Sequence, residues 1–166
     1  AEQAWDRLFE AGEAFGVRAC GLGARDTLRT EMGYPLHGQD LSLDITTNQG
    51  RVGWAVGWKK PAFWGRDALL AEREAGPPRV LRGLESIGKG IPRPHMRVSD
   101  AEGADVGEVT SGTFSPTRRV GIALALLAPS TEIGDELNID VRGRPCAMRV
   151  VKPPFVAASP TQESTA

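Results

Sequence analysis

The sequence predicts an α+β fold, with a helix-bearing first half and a second half built as a small antiparallel barrel or sandwich. Three observations carry this. Apolar residues near the start recur at helical spacing, as Trp5, Leu8, Phe9 and Gly12 do at i, i+3, i+4 and i+7. The local grammar then changes at Gly76-Pro77-Pro78, a strong breaker. Beyond it, roughly 75 residues hold six short apolar runs bounded by turn residues.

The first element is a core-facing helix over Glu2 to Phe15, closed by Gly16. Val17 to Cys20 reads as a short strand. Gly21 and Gly23 lead into a second helix over Ala24 to Met32, which stops at Gly33 because Pro35 opposes continuation. Leu41, Leu43 and Ile45 alternate with polar residues, and Thr46 to Asn48 supply capping oxygens for a short helix. In Val52 to Trp58 the large residues Val52, Trp54, Val56 and Trp58 alternate with Gly and Ala, the period of a strand. Its aromatic face reads as core or as a wall for a flat heterocycle. Phe63 to about Glu74 is a third helix.

The six strands of the second half are Arg79–Glu85, Met96–Ser99, Val106–Thr110, Val120–Leu126, Leu137–Val141 and Cys146–Val151. Asp100-Ala101-Glu102-Gly103 and Arg142-Gly143 are hairpin turns. Ile91-Pro92-Arg93-Pro94 is a rigid connector that turns Arg93 toward the first half. Ser111 lacks a nucleophile elbow, so Val109 to Pro116 reads as a hydroxyl-rich turn that satisfies its own backbone.

Composition excludes several function classes. The net charge of −1 gives no field for nucleic acid or an anionic membrane. Two cysteines, Cys20 and Cys146, and two histidines, His37 and His95, stand in no metal or redox spacing. No signal peptide or long apolar span is recognised, and a reducing cytoplasmic setting is expected. Ala1 opens directly into a helix, as in a chain that begins inside a longer one.

The chemically unusual residue is Arg25. It lies three before Leu28 and seven before Met32, on their apolar face, while Asp26 and Arg29 pair beside it. A guanidinium cannot shed its proton. Arg25 therefore meets an internal carboxylate or faces a cavity that receives an anionic ligand.

Gly21-Leu22-Gly23-Ala24-Arg25-Asp26-Thr27-Leu28-Arg29, with Glu31, Gly33, Leu36 and Gly38-Gln39-Asp40, resembles the signature of the glycine cleavage system T protein family. These are tetrahydrofolate-dependent aminomethyltransferases. Gly53-Trp54, the Phe63 to Leu69 block, Val109-Thr110-Ser111-Gly112-Thr113-Phe114-Ser115-Pro116 and Lys152-Pro153-Pro154-Phe155-Val156 extend the likeness almost to the end of the chain.

The resemblance implies that residues 1–77 are the C-terminal part of the folate-binding domain. Residues 78–156 are then the C-terminal six-stranded β-barrel, and 157–166 a disordered tail. It implies transfer of a one-carbon unit from the aminomethyl-lipoyl arm of the H protein to tetrahydrofolate, with release of ammonia and no metal. Arg25 matches the family's folate-contacting arginine, and Tyr34 and Trp54 are further folate-contacting positions. No catalytic residue is assigned, because the family's catalytic aspartate and its pterin-binding glutamate both lie upstream of Ala1. His37 stands where the family commonly has tyrosine and is expected in solvent. The alternatives are another folate-binding member of the superfamily, such as a demethylating dehydrogenase tail or an iron–sulfur maturation factor, or a non-catalytic interaction barrel.

Overall fold

The computed structural model describes residues 1–141 and 143–157. Its elements are helices α1 (Glu2–Gly12), α2 (Leu22–Glu31) and α3 (Arg66–Ala75), then strands β1 (Val80–Ser86), β2 (Arg97–Ser99), β3 (Asp105–Ser115), β4 (Val120–Leu127), β5 (Glu136–Asp140) and β6 (Pro145–Val151). The fold is α+β, as the sequence predicts. The six strands close into an antiparallel barrel in the order β1-β4-β3-β2-β5-β6.

Period-two alternation fills the barrel. Leu84, Val98, Val109, Ile139, Met148 and Val150 pack inside it. β4 is buried on both faces. Ala123, Ala125 and Leu127 point in, while Ile122, Leu124 and Leu126 form a second cluster with Leu81 and Phe155 on the outside. That is why Val120 to Leu127 is an unbroken apolar run. Its outer face is covered by the first half of the chain and by the closing Lys152 to Val156 block. Phe155 N–H donates to Glu31 O at 2.8 Å, and Gly33 sits against Pro153.

β3 runs to Ser115, five residues beyond its expected end, because a bulge lets it continue. Val109 faces Ala125 and Ser111 faces Leu124, so Thr110 is the extra residue. Gly103 (φ 88°) and Gly143 (φ 76°) take the left-handed conformation at the two expected turns.

The first half departs from expectation in several places. α1 ends in a short 3₁₀ turn, and Gly16 caps it at φ 67°, yet no residue of α1 is buried and Trp5 is 55% exposed. It is not core-facing within this chain. Val17 to Cys20 joins no sheet. Thr46 to Asn48 begins no helix; the Thr46 hydroxyl instead accepts from Gln49 N–H at 3.2 Å in a turn. Val52 to Trp58 is not a strand. Gly53–Ala55 forms a 3₁₀ turn, Trp58 folds back to donate to Gly53 O at 2.7 Å, and Trp54 is 86% exposed rather than core. α3 starts at Arg66 and stops at Gly76, where φ is 84°. The expected disordered tail falls almost wholly on residues 158–166, outside those described.

Candidate functional site

The site is built on the seam between α2 and β3. The arginine that points inward is Arg29, not Arg25. Arg29 is 8% exposed, whereas Arg25 and Leu28 lie open to solvent. The side of α2 that meets the barrel is chosen by polar partners, not by the Leu28–Met32 stripe. Arg29 donates to Asp26 at 2.6 and 2.8 Å and to fully buried Asp40 at 2.7 Å. It also donates to Gln39 at 3.1 Å and to the Ser111 hydroxyl at 2.9 Å. The expected Asp26–Arg29 pair is present, and it is one arm of a larger network.

Asp40 is the centre of that network. It accepts from Arg29, from Leu36 N–H at 2.8 Å, and from the hydroxyls of Thr110 and Ser111. Two adjacent strand residues ordinarily face opposite ways; the bulge at Thr110 is what aims both hydroxyls at one carboxylate. A second clasp lies further along. Glu31 accepts from the Ser115 hydroxyl, from Thr117 N–H at 3.2 Å and from the Thr117 hydroxyl at 3.1 Å. Burial raises the Glu31 carboxyl, and these hydrogen bonds outweigh it, so its pKa lies below the usual carboxylate value. Thr110 to Ser115 is therefore not a self-satisfied turn. Its hydroxyls hold α2 and the Leu36–Asp40 loop on the barrel, and Ser111 is a binding partner of charged groups, not a nucleophile.

The Thr46 to Gln49 turn is fixed in the same manner by α3. Glu72 accepts from Thr46 at 2.6 Å, Asn48 at 2.9 Å and Gln49 at 3.1 Å, and these bonds lower its pKa against the effect of burial. Gln49 O in turn accepts from Leu81 N–H at 2.8 Å. It supplies the partner that β1 lacks there, because β6 pairs with β1 only from Gly83 onward.

Where β6 leaves β1, a cleft of about 860 Å³ opens between the end of α2, the loop after it and the barrel. Tyr34 and Trp54 line it, with Arg51, Arg82 and Lys152. The structure thus brings two of the three expected site residues together, and Arg25 stands outside the cleft. Arg93 turns not to the first half but to the barrel itself, reaching Gly112 O at 3.4 Å. His37 is exposed, as expected. Arg51, Arg82 and Lys152 were not among the expected site residues, since no local motif links three cations that meet only where two strands part. Among the described residues, no cluster of three His, Cys, Asp or Glu side chains suits a metal, and no helix is long and apolar enough to cross a membrane.

Two family descriptions match separate parts of the chain: the GCVT N-terminal domain over residues 1–60 and the glycine cleavage T-protein C-terminal barrel domain over residues 79–157. The chain belongs to the glycine cleavage T-protein family. An aminomethyltransferase of Parafrankia sp. is 69% identical over 156 residues, which is 94% of this chain and 43% of that protein. One of Mycobacterium tuberculosis is 58% identical over 155 residues, covering 92% of this chain and 42% of the relative. The crystal structure of the glycine cleavage system aminomethyltransferase T from Bartonella henselae superimposes with a TM-score of 0.86 at 32% identity, over 94% of this chain and 44% of that one. The chain therefore spans less than half the length of these T-protein relatives.

Proposed function

We propose that this T-protein chain is part of an aminomethyltransferase of the glycine cleavage system. It acts in passing a one-carbon unit from an aminomethyl-lipoyl partner, the H protein, to tetrahydrofolate, with release of ammonia. In this reading residues 1–77 close the folate-binding domain, 78–156 form the barrel, and the setting is cytoplasmic. The catalytic group lies outside this chain, which by itself binds ligand without turnover.

The observation that supports the reading is the cleft between α2 and the barrel. It offers aromatic faces at Tyr34 and Trp54 and a cationic side at Arg51, Arg82 and Lys152. A flat heterocycle with an acidic tail suits that combination, since aromatic rings accept flat π systems and guanidinium forks accept carboxylates. Tyr34 and Trp54 are assigned to ligand contact on both grounds. Arg25 is carried over on the family motif alone; it projects from the turn of α2 that precedes the Arg29 clasp.

The test is titration of the chain with tetrahydrofolate beside Arg25→Ala and Trp54→Ala variants. Saturable binding that weakens at least tenfold in Trp54→Ala is expected. Absence of saturable binding by the parent chain overturns the reading, and equal affinity in Arg25→Ala removes Arg25 from the site.

A further inference from the structure

The geometry points to Arg51 and Arg82 as a paired oxyanion site within the cleft, taking a carboxylate or phosphate group. It concerns the same cleft as the proposed function, and rests on that reading only for one of the two sources of the anion.

Both residues line the cleft, and both are held by rigid backbone. Arg82 lies within β1, opposite Ala125 of β4. Arg51 sits at φ 55°, a left-handed conformation that an arginine seldom adopts. Three backbone hydrogen bonds hold it there: Gly50 N–H to Thr46 O at 2.9 Å, Arg51 N–H to Asn48 O at 3.2 Å and Val52 N–H to Thr47 O at 3.0 Å. The turn carrying it is anchored in turn on Glu72.

Neither cation is neutralised. Among the described residues, no ion pair or side-chain hydrogen bond engages Arg51, Arg82 or Lys152. The Arg82 Nε is buried and has no hydrogen-bond partner. Burial and then the charge of Arg51 lower the Arg82 pKa, while Glu132 opposes them only from a distance, forming no ion pair. Two guanidinium charges on one cleft, one of them half-buried with an unpartnered Nε, call for a counter-anion. Elsewhere in this protein such a need is met internally, as Arg29 is by Asp26 and Asp40. A planar donor fork at each residue matches carboxylate or phosphate oxygens in particular.

Two sources carry that chemistry: the tail carboxylates of a folate, and free inorganic phosphate. The experiment titrates the chain with inorganic phosphate alone, with tetrahydrofolate, and with tetrahydropteroate, which lacks the glutamate tail. Each is repeated on Arg82→Met and on Arg51→Asn, the latter chosen because asparagine tolerates the left-handed conformation. Thermal unfolding of each variant confirms that it folds; Arg51 is at the surface, so its variant keeps the test intact if Arg82→Met does not fold. Phosphate binding that weakens at least tenfold in either variant supports the site with a free anion. A tenfold advantage of tetrahydrofolate over tetrahydropteroate, lost in the variants, supports it with the tail. Absence of phosphate binding together with no advantage from the tail overturns it. Phosphate binding that either variant weakens, without tetrahydrofolate binding, sinks the proposed function and leaves the oxyanion site standing. Phosphate binding equal in all three chains overturns the site when the tail gives no advantage.

Discussion

The Ser111 hydroxyl lies 2.8 Å from each carboxylate oxygen of Asp40, across 71 residues of sequence. This contact joins the Leu36–Asp40 loop to β3, and Arg29 completes it by donating to both residues. A fully buried carboxylate is tolerated only with a partnered cation and enough donors. Here four groups donate to Asp40: a guanidinium, a backbone N–H and two hydroxyls.

Removing one partner of this network leaves the other charge buried. Asp40→Ala leaves Arg29 with only the half-exposed Asp26 carboxylate, and a loss of about 3–5 kcal/mol in unfolding free energy is expected. Ser111→Ala removes one donor and is expected to cost about 1–3 kcal/mol. The two losses are not additive, because both act on one carboxylate. Urea unfolding of the two single variants and the double variant measures all three quantities. A loss below about 1 kcal/mol for Asp40→Ala would contradict the network's role.

Gly112 separates the two hydroxyl clasps, and its lack of a side chain is enforced by the connector before β2. A Cβ at this position would lie 2.5 Å from Pro92 O, 2.6 Å from Pro92 C and 3.0 Å from Arg93 N. All three are backbone atoms, so relief requires the connector to move. Gly112→Ala is expected to destabilise by about 1–3 kcal/mol. Gly88 has nothing within 4 Å of its would-be Cβ. Gly88→Ala is therefore expected within about 0.5 kcal/mol of the parent chain in the same unfolding measurement.

The barrel was legible because its information is local. Each strand alternates or runs apolar between turn residues, and β4's continuous run shows that both its faces are covered. The α2 seam was not legible in the same way. A helical wheel shows that Arg25, Leu28 and Met32 share a face but not which face meets the protein. That was decided by hydroxyls at 111 and 115, more than 80 residues from the side chains they hold at 29 and 31. The Val52 to Trp58 alternation misled for a related reason. Period two describes a strand only when a neighbouring strand pairs with it, and here Trp58 bonds Gly53 within the segment instead. The cleft arises where β6 parts from β1, a register event that no single segment encodes.

Trp54 offers a direct reading of the cleft, because it lines it while remaining accessible. A ligand stacked there is expected to change indole emission. The chain has four tryptophans, so the assignment needs variants. Trp54→Phe is expected to lose most of the tetrahydrofolate-dependent change. Trp64→Phe is expected to retain it, since Trp64 is fully exposed and does not line the cleft. The reverse pattern would move the ligand away from Tyr34 and Trp54.

Glu31 makes the seam sensitive to acid. Burial acts to raise its pKa, but donation from Ser115 and from the Thr117 N–H and hydroxyl prevails, so the folded value is depressed. An unfolded glutamate titrates near about 4.3. A group with a lower pKa when folded contributes its full stability above the unfolded value, and that contribution falls as pH drops through the folded one. Glu72 is depressed in the same direction by Thr46, Asn48 and Gln49, so the two act together. Urea midpoints measured from about pH 6 down to about pH 3 are therefore expected to fall in the parent chain. The fall is expected to be shallower in Glu31→Gln and shallowest in Glu31→Gln/Glu72→Gln, because an amide has no proton to take up over that range. Identical slopes in all three chains would mean that the acid response arises from other carboxylates, and that the Glu31 clasp does not depend on its charge.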